Sequence, residues 1–239
     1  MTLKCDPETG TCLVGEDSDR HAPETVQNIL VTYAGDPMCS WCWGMSPVVS
    51  DLAEWCTQHD IGFRLLMGGL RPGGGDPWNE AFRTFLRNEW QTIAARTGQP
   101  FGYRLLEREH FNYDTEPACR AVVTARSMLE GQPDSCGREL RFFSAVQRKF
   151  YVGGDDPKEL EFYEDICVSV GLEVKTFEDR FRSPEATSET LRDFRMVRQL
   201  GIRGFPAIVL QDRDDVHPVS EGYAPLPQLT ARLKALGAG

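Results

Sequence analysis

The sequence lacks several features that would assign it to a class of protein. No apolar run approaches the roughly 18 residues that a membrane-spanning helix requires, and the first ten residues contain no apolar stretch typical of a signal peptide. Basic residues are in deficit, because 26 Lys and Arg face 36 Asp and Glu, which gives a net charge of −10. A nucleic-acid interface needs clustered positive charge. We therefore expect a cytoplasmic protein that binds neither a membrane nor nucleic acid.

The composition and the order of predicted elements favour an α/β fold. Apolar residues make up 41% of the 239 residues and charged residues 26%, which is enough to build a packed core. The residue pattern predicts strands at 28–33, 61–67, 207–210 and 216–219, with a helix from about Ser40 after the first strand. The first two strands flank this helix and should be parallel, whereas the last two are close enough in sequence to form a hairpin.

The middle of the chain is dominated by signals for helix starts. Proline in a first helical turn after Asp or Ser is typical of such a start, and these pairs occur at Asp76–Pro77, Asp156–Pro157 and Ser183–Pro184, with a further start at Pro117. The glycines at 73–75 lack the lysine and hydroxyl residue of a phosphate-binding loop, so we interpret them as a flexible connection.

Of the eight cysteines, only Cys39 and Cys42 form a C-x-x-C pair. They lie where the first strand is predicted to give way to the first helix. The first turn of a helix carries unpaired N–H groups and a partial positive charge, which stabilise a thiolate and lower its pKa. We predict a redox-active pair in which Cys39 faces outward as the nucleophile and Cys42 resolves the mixed disulfide.

Two other interpretations of this pair exist. A structural zinc site would need two further ligands, usually a second C-x-x-C or two histidines three to five residues apart. The four histidines are scattered and the other cysteines lie far apart, so we expect no metal. Two buried cysteines without chemistry are less consistent with a strand-to-helix turn, which lies at the edge of a sheet.

A second motif strengthens the redox interpretation and carries a family resemblance. Gly204, Phe205 and Pro206 precede the predicted strand at 207–210. A proline is tolerated at the first residue of a strand, so Pro206 alone would need no functional explanation. A C-x-x-C after the first strand together with a Gly-x-Pro before a late strand resembles the thioredoxin superfamily. More closely, residues 33–44 (YAGDPMCSWCWG) are similar to the DsbA family, in particular its FrnE-like cytosolic branch of protein disulfide isomerase-type proteins. Residues 114–120 (DTEPACR) resemble the segment that opens an inserted helix in that branch.

The resemblance covers residues 28 to 236 and implies a thioredoxin-like fold with a large inserted all-helical domain. Residues 28–69 and 191–239 then form the thioredoxin-like domain, residues 70–190 the inserted helical domain, and residues 1–27 an N-terminal extension that we interpret as a loop.

The resemblance also implies a substrate-binding surface around the cysteines. Pro206 is expected to be cis, and the backbone of Phe205 should lie beside the two sulfurs, free to pair with an extended substrate. Ser40, Trp41, Phe205 and Pro206 would bind substrate, with Trp41 and Phe205 forming an apolar rim. For Trp43 we favour ordinary helix packing.

The sequence departs from the periplasmic founders of the family between the two cysteines. Ser40 and Trp41 occupy these positions, so no histidine is present there to stabilise the thiolate. We therefore predict a weaker oxidant than DsbA, whose potential is about −120 mV.

Several residues outside the C-x-x-C pair have open roles. Cys5 and Cys12 bracket a Pro/Gly turn and could form a secondary redox pair that exchanges electrons with Cys39, or simply be two thiols in a flexible tail. Asp36 could accept a proton from the resolving thiol, although we favour a capping role. The other cysteines are expected to be packing residues: Cys56, Cys119, Cys136 and Cys167.

The sequence therefore predicts a thiol–disulfide oxidoreductase of the protein disulfide isomerase type that acts on protein or small-molecule thiols and disulfides. It needs no cofactor beyond its own redox-active disulfide, with glutathione as a candidate electron partner. Two alternatives stay open. One is a glutathione-dependent isomerase or transferase of the kappa type, whose members usually carry one catalytic Ser or Cys. The other is a non-catalytic adaptor that reuses the fold.

Overall fold

The computed structural model describes residues 5–6, 9–13, 29–213 and 215–238. Its strands are β1 (Cys5–Asp6), β2 (Thr11–Leu13), β3 (Leu30–Gly35), β4 (Gly62–Met67), β5 (Gly204–Phe205), β6 (Ala207–Asp212) and β7 (Asp215–Glu221). Its α-helices are α1 (Ser40–Gln58), α2 (Glu80–Thr97), α3 (Glu116–Leu129), α4 (Ser135–Arg148), α5 (Glu164–Ser169), α6 (Val174–Phe181), α7 (Pro184–Gln199) and α8 (Leu226–Ala235). Among these described residues, no helix is long and apolar enough to cross a membrane.

The main sheet has the strand order β4-β3-β6-β7. β3 and β4 are parallel, from Leu30 opposite Gly62 to Gly35 opposite Met67. β6 runs antiparallel to β3 and to β7. The predicted parallel opening pair and the closing hairpin are therefore both confirmed. β3 is central and buried from Val31 to Gly35, which agrees with its continuous apolar and β-branched sequence.

The helices α2 to α7 lie between β4 and β5 in the sequence, which confirms an α/β thioredoxin-like fold with a helical insertion. Our division of the chain into domains stays a prediction, and its boundary between residues 190 and 191 falls inside α7. The interior of the helical region is rich in stacked and edge-to-face rings, including Tyr151, Trp90 and Phe150.

The predicted helix starts are confirmed in part. α3 has Pro117 in its first turn, as expected. The Ser183 hydroxyl accepts a hydrogen bond from the Ala186 N–H, as expected for the start of α7. α2, however, begins after Asn79, whose side chain accepts from the Phe82 N–H, rather than at Asp76–Pro77. The prediction of a helix at Asp156–Pro157 was wrong. The Asp156 carboxylate accepts from the Lys158 N–H in a turn instead, and helical structure starts with a 3₁₀ turn at Leu160–Tyr163.

The N-terminal extension contains a second, small sheet that we did not predict. β1 and β2 form an antiparallel hairpin, and β2 also pairs with β5. The interpretation of residues 1–27 as a loop is therefore wrong for residues 5–6 and 11–13. Because β5 directly precedes Pro206, this hairpin lies at the end of the main sheet where the cysteine motif also lies.

Candidate active site

The C-x-x-C pair lies at the predicted strand-to-helix turn. Cys39 is the N-cap residue of α1, with an extended backbone (φ −89°, ψ 118°) and no side-chain cap for the helix. Its N–H donates to the Asp36 carbonyl at 3.0 Å, and its carbonyl accepts from the Trp43 N–H at 3.1 Å. Cys42 follows in the first turn of the helix, and both cysteines are free thiols. The predicted location of the pair is thus confirmed.

The late Gly-x-Pro motif lies beside the first cysteine. The Phe205–Pro206 peptide bond is cis, as the resemblance implied. The Cys39 thiol donates to the Phe205 carbonyl, with Sγ and the oxygen 3.6 Å apart. Two motifs that are 166 residues apart in the sequence therefore meet at one point of the fold.

The backbone edge of Phe205 is not free, because the chain pairs with itself there. In the register of β2 and β5, Cys12 lies opposite Phe205, and in the register of β1 and β2, Cys5 lies opposite Cys12. The side chains of Cys5 and Cys12 lie outside the described part of the structure. In the turn of the hairpin, Gly10 is buried, and a Cβ there would come within 3.0 Å of the Trp41 ring.

The expectation of an outward-facing Cys39 with a lowered pKa was wrong. Cys39 and Cys42 are both 0% exposed. Burial raises the pKa of the Cys39 thiol well above its usual value; the neighbouring Cys42 thiol and the Asp36 carboxylate act in the same direction. A hydrogen bond from the Cys42 backbone lowers this pKa but does not offset desolvation. The helix N-terminus is therefore outweighed by the loss of water around the sulfur.

The predicted apolar rim of Trp41 and Phe205 was also wrong, since neither side chain is exposed. The Phe205 ring packs over Gly68, so closely that a Cβ at that glycine would lie 2.1 Å from Phe205 Cζ. The Trp41 ring contacts Tyr223 and the Arg96 guanidinium, with centroid distances of 6.2 and 5.3 Å.

Ser40 and Trp43, which belong to the same motif, are also buried. Ser40 is only 7% exposed. Trp43 is packed in the core, and its indole N–H donates to the Pro100 carbonyl. The packing role that we favoured for Trp43 is thereby confirmed.

Asp36 is a buried carboxylate that organises the loop before the helix. Its oxygens accept from the Met38 N–H at 2.8 Å and the Leu70 N–H at 2.7 Å. It caps this loop, as we favoured, but not helix α1. Burial raises the pKa of Asp36, and these backbone hydrogen bonds oppose that shift.

Cys119, which we interpreted as a packing residue, has a polar role as well. Its thiol donates to Asp36 Oδ2 at 3.4 Å, so that a third sulfur is connected to the loop of the C-x-x-C pair. Cys56 and Cys167 are buried as expected, and Cys136 is partly buried.

Sequence reasoning missed three tyrosines around the cysteines. The Tyr113 hydroxyl donates to the Met38 carbonyl at 2.9 Å and lies 3.3 Å from the Tyr151 hydroxyl. Burial raises the pKa of Tyr33, and the Cys42 thiol adds to this shift. Tyr113 and Tyr151 come from the helical insertion, and only Tyr33 lies in the motif segment itself, so no local sequence signal connects all three to Cys39.

This arrangement brings together groups that are suited to thiol chemistry. The Cys39 thiol faces the backbone carbonyl next to a cis-proline, and Cys42 follows it in the first turn of the same helix. One carboxylate and three phenols lie near the two cysteines. Among the described residues, no three His, Cys, Asp or Glu side chains are grouped as metal ligands.

Comparison with solved structures identifies similar proteins. A candidate protein disulfide isomerase from Nitrosomonas europaea is 35% identical with a TM-score of 0.77, covering 87% of this chain and 97% of that chain. The cytosolic disulfide reductase DsbM from Pseudomonas aeruginosa is 25% identical with a TM-score of 0.68, covering 88% of this chain and 100% of that chain. A structure of DsbM with GSH is similar to the chain as well.

A curated protein and a family model also match the chain. The ClpXP adapter protein SpxH of Shouchella clausii is 21% identical over 214 residues, which is 87% of this chain but only 66% of that relative. The family model of the DSBA-like thioredoxin domain matches residues 32–234, from β3 into α8. This match extends over most of the sequence and includes both cysteines and the cis-proline. The chain therefore belongs to the DSBA-like thioredoxin domain family of oxidoreductases.

Proposed function

We propose that this protein is a thiol–disulfide oxidoreductase in which Cys39 is the nucleophile and Cys42 the resolving cysteine. The Cys39 thiolate attacks one sulfur of a substrate disulfide and releases the other as a thiolate. The Cys42 thiolate then attacks Cys39 Sγ, releases the second substrate sulfur and leaves a Cys39–Cys42 disulfide. Two electrons pass from the enzyme to the substrate in this cycle.

The observation that carries the proposal is the contact between Cys39 and the residue before the cis-proline. Cys39 Sγ lies 3.6 Å from the Phe205 carbonyl, and Cys42 lies in the first turn of the helix that Cys39 caps. A mixed disulfide at Cys39 therefore has a second thiol within one helical turn and the Phe205 carbonyl beside it. Membership of an oxidoreductase family supports the same chemistry.

Glutathione is the electron partner that we favour, and the reducing direction is the one that we favour for the cytosol. The similar Pseudomonas aeruginosa protein is a cytosolic disulfide reductase, and one of its structures holds GSH. Two glutathione molecules would return the Cys39–Cys42 disulfide to two thiols and leave as glutathione disulfide, which balances the cycle. The substrates would be disulfides of proteins or of small molecules.

Reduction of insulin disulfides in the presence of glutathione tests the proposal. We expect Cys39→Ser to abolish turnover, because no other described thiol contacts the Phe205 carbonyl. Cys42→Ser should lose most turnover and accumulate a mixed disulfide at Cys39. The matched control is Cys136→Ser on α4, which removes a partly buried thiol and should keep wild-type turnover.

The alternative functions predict different outcomes of the same assay. Full turnover of Cys42→Ser with glutathione would favour a one-cysteine enzyme of the kappa type. No turnover by wild type with any disulfide would refute an oxidoreductase and favour an adaptor, as the name of the curated relative suggests for that protein.

A further inference from the structure

The hairpin of β1 and β2 places two cysteines in line with the candidate active site. Cys12 lies opposite Phe205, and Cys5 lies opposite Cys12. Directly opposed residues of antiparallel strands have Cα atoms about 4.5–5.5 Å apart. A disulfide spans Cα distances of about 4.4–6.8 Å, so the backbone register of Cys5 and Cys12 suits a disulfide.

The register also puts Cys12 where an extended substrate would present its cysteine. The Phe205 carbonyl accepts from the Cys39 thiol, and the backbone of Phe205 pairs with that of Cys12. One residue of the chain's own strand thus occupies the edge that a substrate strand was expected to occupy.

We propose that Cys5 and Cys12 form a second redox-active pair, which exchanges electrons with Cys39 and Cys42 through a Cys12–Cys39 mixed disulfide. This inference rests on the proposed function and deepens it, because it names an internal partner of the C-x-x-C pair. The hairpin is then both a cover for Cys39 and its first disulfide substrate.

The exchange balances in sulfur bonds and electrons. The Cys39 thiolate attacks Cys12 of a Cys5–Cys12 disulfide, forms the Cys12–Cys39 bond and releases the Cys5 thiolate. The Cys42 thiolate then attacks Cys39 and releases the Cys12 thiolate. Two electrons have passed from the C-x-x-C pair to the hairpin pair, and the reverse sequence returns them.

Two further observations support an internal partner. Cys39 is 0% exposed, so an external disulfide reaches it only after the residues that cover it have moved, whereas the hairpin is already there. The hairpin is also held against the site by packing, since Gly10 adopts φ +71° and lies against Trp41 and Tyr223. A tethered thiol at such a place has an effective concentration of about millimolar or more.

The test traps the mixed disulfide in a double variant. In Cys5→Ser/Cys42→Ser, the resolving thiol of each pair is absent, so a Cys12–Cys39 disulfide cannot be resolved once it forms. The variant is oxidised with glutathione disulfide, quenched in acid, and digested without reduction. The matched control is Cys12→Ser/Cys42→Ser. It retains the thiol of Cys5, which lies one strand further from Phe205 than Cys12 does.

Digestion with trypsin and a Glu-specific protease separates every relevant cysteine. Cleavage after Glu8 divides Cys5 from Cys12, and cleavage after Glu54 divides Cys39 from Cys56. The diagnostic product joins residues 9–16 to residues 25–54. We expect this product to dominate in the double variant and to form at a rate unchanged by about tenfold dilution, as an intramolecular reaction requires. In the control, the corresponding Cys5–Cys39 product, which joins residues 5–8 to residues 25–54, should be absent or at least about tenfold weaker.

The outcomes separate the inference from the proposed function. If Cys39 takes up glutathione but no Cys12–Cys39 product forms, or if the control links equally well through Cys5, the internal partner is refuted. Insulin reduction by Cys5→Ser/Cys12→Ser then still reports on the oxidoreductase. If that variant and wild type are both inactive, the proposed function itself is wrong. The circular dichroism of each variant verifies that the fold is intact.

Discussion

Gly68 sets the distance between the end of β4 and the residue before the cis-proline. The Phe205 ring lies directly over it, so that a Cβ would meet Cζ at 2.1 Å and two further ring carbons at 2.4 and 2.5 Å. No side chain tolerates such contacts without displacement of the ring. The same ring belongs to the residue whose carbonyl contacts Cys39 Sγ, so packing at Gly68 and geometry at the sulfur are linked.

We predict that Gly68→Ala destabilises the protein by about 1–3 kcal/mol, as overpacking of a filled core does. The midpoint and slope of urea unfolding measure this change. In a Phe205→Leu background the smaller side chain leaves room for the added methyl group, so the cost of Gly68→Ala should fall to less than about half. An equal cost in both backgrounds would show that the Phe205 ring is not what the alanine meets.

At the level of residues, the sequence was informative where chemistry depends on local spacing. The C-x-x-C pair and its place at a helix start are properties of a short segment, and the structure contains both. The cis state of Pro206, which the family resemblance implied, is also present. The burial of Cys39 was not accessible in this way, because its surroundings include residues far away in the sequence, such as Phe205, whose carbonyl accepts from the Cys39 thiol. The expected low pKa failed for the same reason: it considered the helix terminus and not the loss of water around the buried sulfur.

Asp193 on α7 connects three elements of the fold. Its carboxylate forms two hydrogen bonds with the Arg126 guanidinium on α3, at 2.9 and 2.8 Å. It also accepts from the Met67 N–H at the end of β4 at 2.9 Å, while Arg126 donates to the Leu65 carbonyl. The helical insertion is thereby fastened to the edge strand of the main sheet.

We predict that Asp193→Asn destabilises the protein by about 3 kcal/mol, because one partner of a buried charge pair is lost. Whichever oxygen of the Asp193 carboxylate is replaced by the amide NH₂ group of asparagine, that group faces an N–H donor of Arg126 or Met67. Thermal and urea unfolding measure the effect. The matched control is Asp179→Asn in the exposed pair with Lys175, where both side chains are more than half exposed and a change below about 1 kcal/mol is expected. Equal costs at the two sites would contradict the connecting role.

At the level of elements, the predictions held where one hydrogen-bonded cap or one apolar run defined the element. Ser183 capped α7 as expected, and all strands of the main sheet were found within a few residues of their predicted places. The hairpin of β1 and β2 was missed because its two short strands carry no apolar alternation. Its stability comes from pairing with β5, a partner nearly 200 residues away in the sequence, and from the packing of Gly10.

For the whole molecule, the sequence predicted the architecture better than it predicted the burial and the pKa of Cys39. The order of strands and helices, together with the two motifs, was sufficient for a thioredoxin-like fold with a helical insertion. The tertiary contacts that enclose the cysteines join the N-terminal hairpin, the insertion and the last strands, and no one of these segments reveals the others. One buried carboxyl group has a consequence for the molecule as a whole, because it keeps its proton in the folded chain at pH values where the unfolded chain has released it.

Glu139 on α4 is this group: its pKa is raised to about 8, first by burial and further by Asp193, although Arg126 opposes the shift. Between about pH 4.5 and pH 8 the unfolded chain has released this proton and the folded chain retains it. The free energy of unfolding therefore falls as pH rises through this window. The fall amounts to about a few kcal/mol, which corresponds to the size of the pKa shift of Glu139. Below pH 4.5 both states are protonated, and the contribution no longer varies with pH.

Glu139→Gln removes this proton and should abolish that part of the pH dependence. We predict that the variant gains stability relative to wild type as the pH rises from 5 to 8, since its neutral amide is never forced to ionise in the core. Urea unfolding at four or five pH values in this window measures the difference. The control is Glu130→Gln at an exposed position, which should parallel wild type throughout. A constant difference between Glu139→Gln and wild type across the window would mean that Glu139 ionises in the folded protein as readily as in the unfolded chain, and that Arg126, already paired with Asp193, still compensates its charge in full.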